Sequence, residues 1–576
     1  MSLERYKRYF NGQDKVPAIH MAWPLYGAGL ESLGKDGKSV ERIVPTYADD
    51  ELLIRHDAVG LCFTDAKEIK FGDQHPRLIG RGLATNPIVP GHETSITVVG
   101  VGKKLKGEYD IGDRFVIQPD VWYQGKSIPY SFGMDGAYRQ YAVMGKEILC
   151  GDEGNYLISI PENMSYAGAA LTEPWACVEA AYSMVYRNSL QPDGSVWMMG
   201  SKNCRSGYRL DKIWDSQNAP SRIVLTNIPS DLEKLLSALG KKSGITVQHK
   251  ERDEVIKAGL RFNDIILLDC EAEDVDVAGS LLEKNGVLAI MRHDSMGQTV
   301  SMDFGRIHYD NIVYIGTTGT DIDEAYTKTP VRSELKKGGV ALILGAGGPM
   351  GRMHVQRAIE SYGSPKTVVA TDVDRNRLGD LKNSFSALVS NRNIEFRTAN
   401  PVEDKENYDA TMNQIARSGG FDDIEVMVTN LSVIGEVSEY VAENGIINLF
   451  AGLKRGTMAS VDPWLIYGPK QIRYIGHSGS KLQDQVAIVN RFKNGELEPQ
   501  RSMAALCGLN QIAEGVQAMI DSVYPGKIVV YPMVRDFPLT GLGELKSVLP
   551  EVYGRLENGR FWTLEAEKVF LESVLQ

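Results

Sequence analysis

Hydrophobic positions along this chain change period as it runs from its first residue to its last. Up to about residue 187 the apolar runs are short, alternate with polar residues and are cut by glycines, as in Thr97-Val98-Val99-Gly100-Val101-Gly102. Period-two alternation between turns predicts strands with one buried face, so residues 1–187 read as a β-rich domain. From about residue 190 the runs become continuous and helical patterns follow them. Val340-Ala341-Leu342-Ile343-Leu344 runs into the glycine-rich turn Gly345 to Gly351 and then a helix start, and Lys366 to Asp372 reads as the next strand. Continuous apolar strands alternating with helices predict a doubly wound parallel sheet buried on both faces, placed at 336–500.

The same succession occurs earlier, shifted by 159 or 160 residues. Phe262-Asn263-Asp264-Ile265-Ile266 resembles Phe421-Asp422-Asp423-Ile424-Glu425, and Tyr314-Ile315-Gly316 resembles Tyr474-Ile475-Gly476. An internal repeat predicts a duplicated unit, so residues 190–335 read as a second domain of the same type. After 500, Leu506 to Val516 reads as a turn then a helix, and Gly526 to Pro532 as a buried strand. Residues 501–535 are expected to return to the first domain. In 536–576, Trp562, Leu564, Val569, Phe570 and Leu575 recur at near-helical spacing, which predicts a helical tail docked on its own chain or on a subunit.

The glycine-rich turn carries the first chemical expectation. Gly345, Gly347, Gly348, Pro349, Met350 and Gly351 lie between strand and helix, where bare backbone and a helix N-terminus suit a pyrophosphate. Counting back from Gly351 in the Gly-x-Gly-x-x-Gly spacing puts Ala346 at the first glycine, with Gly345 one residue early, so the register is open. Asp372 ends the next strand, where a carboxylate accepts hydrogen bonds from ribose hydroxyls and repels a 2′-phosphate. NAD is therefore favoured as the cofactor, while Arg375 and Arg377 keep NADP possible. The earlier copy has Gly200-Ser201-Lys202-Asn203-Cys204-Arg205-Ser206-Gly207 at its turn and Asn227 after its second strand. Long side chains there predict a degenerate copy that binds no dinucleotide, with Lys202, Arg205 and Arg209 as candidates for another anion.

Composition narrows the remaining classes. At 576 residues the chain is long enough for three or four domains, and 63 Lys and Arg against 74 Asp and Glu leave a net charge of −11. Without a basic run, nucleic acid and anionic membranes are poor partners. No apolar run approaches the roughly 20 residues of a membrane span, and the polar start lacks a signal-peptide core, which predicts a cytoplasmic location. The six cysteines include no Cys-x-x-Cys pair, a distribution that suits reduced thiols.

Cys62, His92 and Glu173 carry the second expectation. A thiolate, an imidazole and a carboxylate spread over one domain suit a zinc ion with three protein ligands and a fourth position for water or substrate. With Gly91-His92-Glu93 before an alternating strand, Tyr109 to Val116 after it, and Glu173-Pro174-Trp175-Ala176-Cys177 later, the chain resembles the medium-chain, zinc-dependent alcohol and polyol dehydrogenases. Within them, Arg114 to Gln118, Gly348-Pro349-Met350-Gly351 and Asn448-Leu449-Phe450-Ala451-Gly452 resemble the L-sorbose 1-phosphate reductase group.

The resemblance implies a GroES-like β-rich catalytic domain and a Rossmann-type domain at 336–500; the internal repeat adds the degenerate Rossmann-type copy at 190–335, which lies outside the resemblance, so the chain reads as α/β with two tandem Rossmann-type domains. It implies a catalytic zinc on Cys62, His92 and Glu173, and nicotinamide between catalytic and nucleotide domains. Hydride would pass between NAD(H) and a secondary alcohol or ketone of a polyol, sugar or sugar phosphate. Thr64 occupies the position of a proton-relay hydroxyl, Glu93 that of an acid tuning the metal, and Lys67 stands where a relay histidine often lies and is read as a contact for substrate phosphate. His75 is expected in a loop. The four-cysteine lobe of many relatives has no counterpart between Gln118 and Gly136, so one zinc and no structural zinc is expected. A homo-oligomer, dimer or tetramer, is implied. The alternatives are an epimerase using NAD transiently and a non-catalytic NAD(H) sensor.

Overall fold

A computed structural model describes residues 3–214, 219–328, 332–361 and 363–575. Contacts divide the chain into one unit of Met1–Glu179, Gly348–Met353 and Ser480–Gln576 and another of Ala180–Gly347 and His354–Gly479.

In the first unit an eight-stranded sheet runs in the order Thr540–Gly541, Met503–Gly508, Lys527–Tyr531, Leu52–Gly60, Glu93–Val101, Arg114–Ile117, Leu157–Ser159, with Tyr141–Met144 also pairing with Leu52–Gly60. Every residue of Leu52–Gly60 is buried, including two opposite charges. Burying them is tolerable because Arg55 Nε donates to Asp57 Oδ1 at 2.7 Å, Thr97 Oγ1 donates to Asp57 at 2.6 Å, and the guanidinium lies 3.4 Å from the Tyr9 ring centre. The stretch from Leu506 departs from expectation. Its first residues finish the strand Met503–Gly508, and the helix begins only at Ile512. Pairing on both sides, parallel to Lys527–Tyr531 and antiparallel to Thr540–Gly541, overrides the weak local preference of Met503-Ala504-Ala505-Leu506.

The tail helix Leu564–Val574 docks on its own chain. Phe570 packs against Tyr531 and Phe537, with ring centres 5.0 Å away in both pairs. Glu567, fully buried, accepts from the backbone N–H groups of Tyr166 at 2.6 Å and Ala167 at 2.9 Å, completing the start of the helix Tyr166–Ala170.

His20 gives this unit a testable pH dependence. Burial, then the charges of Arg139 and Arg42, pull its imidazole down to about 4. Above pH 6.5 the ring is neutral whether folded or unfolded. Between 6.5 and about 4 only the unfolded chain takes up the proton, so stability falls as pH falls through that window, by up to about 3 kcal/mol. Denaturant midpoints compared at pH 7 and 5 will drop less in His20→Asn than in the wild type; an equal drop removes His20 from the account.

The second unit contains the duplication. One six-stranded parallel sheet runs Thr246–His249, Arg222–Thr226, Ser195–Gly200, Phe262–Leu268, Leu282–Met291, Val313–Thr317, and the other Glu395–Ala399, Thr367–Thr371, Val340–Leu344, Phe421–Val426, Val441–Leu449, Arg473–Ile475. Both have the 3-2-1-4-5-6 order of a doubly wound nucleotide-binding sheet. The copies even repeat one polar clasp. Arg187 Nη1 donates to Asp264 and to the Ser189 carbonyl, and Arg332 Nη1 donates to Asp423 and to the Glu334 carbonyl. Corresponding short strands, Val300–Asp303 and Met458–Val461, pair antiparallel with Val300 opposite Val461. One core runs through both copies, from Trp197 and Leu288 to Leu342 and Tyr474.

The first copy has lost its phosphate turn. No helix follows Gly200 directly; an irregular path runs through the described residues to Trp214. Asn227 Nδ2 donates to the carbonyls of Gly200 and Ser201, and a Cβ on Gly200 would lie 2.3 Å from the Asn227 carbonyl oxygen. The chain thus closes its own turn. Arg205 is held by Asp269 at 2.9 Å, while Arg209 is largely exposed with Asp321 at 4.0 Å. Arg252 and Arg292 lie against Asp274 and Glu271. Three of the cleft's arginines are thus paired, while Lys202 lines it with no ion pair among the described residues.

Candidate active site

Cys62 stands two residues beyond the strand Leu52–Gly60 and caps the helix Phe63–Phe71. Its Sγ accepts from the Thr64 N–H at 3.4 Å, and its own N–H donates to Asp65 Oδ2 at 3.0 Å. His92 immediately precedes Glu93–Val101, after Gly91 at φ +96°, where a Cβ would collide with the Tyr138 ring at 2.4 Å. Only glycine fits that approach. One ligand atom from each of Cys62, His92 and Glu93 comes within 4.8 Å of the others, the one such group among the described residues.

The surroundings orient this group. His92 Nδ1 lies 3.0 Å from Asp65 Oδ1, and Tyr138 Oη donates to Asp65 Oδ2 at 2.9 Å. With Nδ1–H turned to the carboxylate, Nε2 is left as the ligand nitrogen. Burial pulls the His92 imidazole down, but Asp65 and then Cys62 outweigh it and hold the proton well above the usual range. A bound cation would replace that proton. Glu93 Oε1 accepts from Lys527 Nζ at 2.6 Å, and the same ammonium donates to the Leu61 carbonyl at 2.7 Å. Glu93 Oε2 is buried with no hydrogen-bond partner, close against Gly60, where a Cβ would lie 2.0 Å away. A thiolate, an imidazole nitrogen and a buried carboxylate oxygen lacking a donor form a donor set that fits zinc.

Glu173 lies on the helix Thr172–Tyr182 and outside the group of three. It shares their electrostatic environment. Burial pushes its carboxyl up to about 7, His92 opposes that, Glu93 adds to it and Lys527 opposes it. Cys177, one turn on, has its Sγ 3.9 Å from Glu173 Oε1. Thr64 is half-buried in the first turn after Cys62, and Lys67 is exposed on the same helix. His75 stacks on Phe132 with ring centres 5.1 Å apart. Sequence reading missed Asp65, Tyr138, Lys527 and Glu68, the last fully buried and held well above the usual carboxylate range by burial and then by Asp65. Asp65 had a signal, since Cys62 and Asp65 stand at capping-box spacing.

In the second unit Gly345 has φ +73°, which settles the turn register: Gly345 makes the left-handed step and Ala346 is buried. The Gly347 N–H donates to Asp372 Oδ2 at 2.9 Å, and a Cβ there would meet that carboxylate and Arg377. The helix Pro349–Glu360 follows, bringing Met350 and Gly351 into its first turn. Arg377 lies in the first turn of the helix that Asp374 caps, its Nε 3.6 Å from that carboxylate. At the carboxyl ends of these strands a cavity of about 430 Å³ is lined by Gly345, Asp372, Pro401, Tyr408, Val428 and Val433 among others. Its apolar walls, with Asp372 and Glu436 as acids and Lys405 as the one cation among them, suit an adenosine. Of the apolar members, Tyr408 and Val433 come from the helices Lys405–Arg417 and Leu431–Ser438, and Pro401 and Val428 from loops that no periodicity marked.

Residues 48–151 match the family model of the alcohol dehydrogenase GroES-like domain. Mannitol-1-phosphate 5-dehydrogenase of Aliivibrio fischeri is 25% identical over 302 residues, 48% of this chain and 70% of that protein. L-Sorbose 1-phosphate reductase of Klebsiella pneumoniae is 25% identical over 307 residues, 49% of this chain and 72% of its own. An alcohol dehydrogenase structure from Thermotoga maritima superposes with a TM-score of 0.51 at 13% identity, covering 90% of this chain and all of that one, a likeness of fold alone. No helix among the described residues is long and apolar enough to cross a membrane.

Proposed function

Because the chain belongs to the medium-chain alcohol dehydrogenase superfamily and is an oxidoreductase acting on CH–OH groups of polyols, we propose that it uses zinc and NAD(H) to interconvert a phosphorylated polyol and its ketose. The observation that carries the zinc dependence is the half-buried Cys62 beside the buried His92 and Glu93, with one carboxylate oxygen unpartnered. Zinc bound there supplies a Lewis acid that polarises the alcohol or carbonyl oxygen.

The chain's own residues do the rest. Cys62 and His92 would hold the ion with Glu173 as third ligand, and Glu93, tethered by Lys527, is the alternative carboxylate for that place. Asp65 fixes the His92 ring through Nδ1. The Thr64 hydroxyl passes the substrate proton towards solvent, and Lys67, exposed one turn away, meets the substrate phosphate as a point charge. The names of the two relatives, both specifying a phosphorylated substrate, support that choice. Free thiols and the net negative charge suit the cytoplasm.

Asp372 binds the adenosine ribose, and Gly345, Gly347 and Gly348 leave room for the pyrophosphate. Removing the carboxylate in Asp372→Ala will raise KM for NAD by roughly 10- to 100-fold, the range for a lost charged hydrogen bond, and relieve the exclusion of NADP. Steady-state kinetics with both cofactors check this; an unchanged NAD KM contradicts the assignment.

The whole reading is tested by following reduced nicotinamide with polyols, ketoses and their phosphates. Net NADH formation from a polyol phosphate, faster than from the free polyol, is expected. Conversion of sugar without net NADH would indicate the epimerase, and no turnover with any of them would contradict the proposal.

A further inference from the structure

The seam between the two copies holds a charge without a partner. Arg473 opens the last strand of the second sheet, is 1% exposed, and its Nε and Nη1 have no hydrogen-bond partner. The Tyr186 ring centre lies 5.1 Å from its guanidinium carbon. Burial pulls the group down to about 10, opposed by Tyr186 and by no carboxylate. Asp264, the acid paired with the neighbouring Arg187, is spent: it accepts from Arg187 Nη1, Tyr326 Oη and the Gln191 N–H. A buried guanidinium with neither counter-ion nor acceptor is costly, since burial penalises a charge that nothing compensates.

The fold does not require that charge. At the 160-residue shift that aligns Tyr314 with Tyr474, the first copy has Val313 at the corresponding position. Both residues line one cavity of about 250 Å³, together with Tyr186, Arg187, Asn285 and Asn311. Arg187 Nε is also buried without a partner. Asn311 donates through Nδ2 to Asn285 Oδ1 at 3.2 Å, while its own Oδ1 is buried and unpartnered. Two arginines and an asparagine, each with a buried polar atom lacking a partner, therefore stand together along the wall of this cavity. Its volume lies just below the roughly 300–1,000 Å³ of sites for drug-sized ligands.

We infer that this cavity, lined by Arg473, Arg187 and Asn311 at the seam of the duplicated domains, binds a small oxyanion that also carries a hydrogen-bond donor. A hydrogen phosphate, a phosphomonoester or a hydroxycarboxylate has that chemistry. The anion takes the guanidinium donors of Arg473, and its hydroxyl donates to Asn311 Oδ1.

The full chain, metal-loaded and at fixed ionic strength, is unfolded thermally in chloride with rising inorganic phosphate, and in a second arm with rising lactate. The midpoint is expected to rise by roughly 1–2 °C for each tenfold of the bound anion above its Kd. A rise with phosphate alone assigns the phosphate class; a rise with lactate assigns the carboxylate. Arg473→Met is expected to lose the anion-dependent rise. Should that variant fail to fold, Asn311→Leu, which removes the acceptor and fills the cavity, serves instead with the same expectation. A rise of equal size in the wild type and the folded variant, or no rise with either anion, overturns the inference.

Discussion

Cys62→Ala will carry less than stoichiometric zinc and lose at least about a thousandfold in kcat/KM, because several kcal/mol of transition-state charge stabilisation leaves with the metal. The thiolate is the one soft donor of the group, and its Sγ also accepts from the Thr64 N–H at the head of the helix Phe63–Phe71. Loss of the cap alone costs about 1 kcal/mol of stability and no chemistry. Cys62→Ser separates the two effects. It restores a capping acceptor but remains a poor zinc ligand, so its unfolding midpoint should recover while activity does not. Metal analysis beside kinetics on both variants checks this, and a Cys62→Ala protein that keeps its zinc would contradict the ligand role.

Lys527→Met will destabilise the first unit by about 3–5 kcal/mol. The ammonium is the donor to Glu93 Oε1 and to the Leu61 carbonyl, and Glu93 is fully buried. Removing one partner leaves a carboxylate in low dielectric with nothing to offset its desolvation, which costs far more than the intact pair contributes. The double variant Lys527→Met with Glu93→Gln removes both charges and is expected to regain much of the loss. Denaturant unfolding of the two variants and the wild type measures it. If Lys527→Met unfolds within about 0.5 kcal/mol of the wild type, the value expected of an unimportant surface change, the tether has no energetic role.

These two residues mark the boundary of what the sequence discloses. Cys62 and His92 were legible because each sits in a short fragment at a strand end, where the residue type itself suggests a ligand. The glycine turn was legible because strand, glycines, helix and a distant acid occur in order, and its open register closed only with the φ of Gly345. The duplication was legible from the constant shift between copies, though not the repeated Arg187–Asp264 and Arg332–Asp423 clasps. Lys527 was invisible for a physical reason. It begins a strand that reads as buried and apolar, and its partner lies 434 residues earlier, so only tertiary pairing makes the lysine tolerable. Leu506 to Gly508, read as the start of a turn, finish the strand Met503–Gly508 because its conformation is imposed by neighbours on both sides.

The choice between Glu93 and Glu173 as third ligand follows the same division. Glu93 is adjacent in sequence to His92 and falls within the compact group, whereas Glu173 arrives on a separate helix with a carboxyl near neutral pKa. Comparing zinc affinity in Glu93→Ala and Glu173→Ala assigns the ligand.

The central claim, that turnover depends on zinc at this site, is tested most directly by stripping the protein with a chelator and restoring zinc in steps while recording NAD(H)-linked turnover. Activity that is absent from the metal-free protein and rises linearly to a plateau at one zinc per chain is the predicted result. Full turnover by the metal-free protein would contradict it.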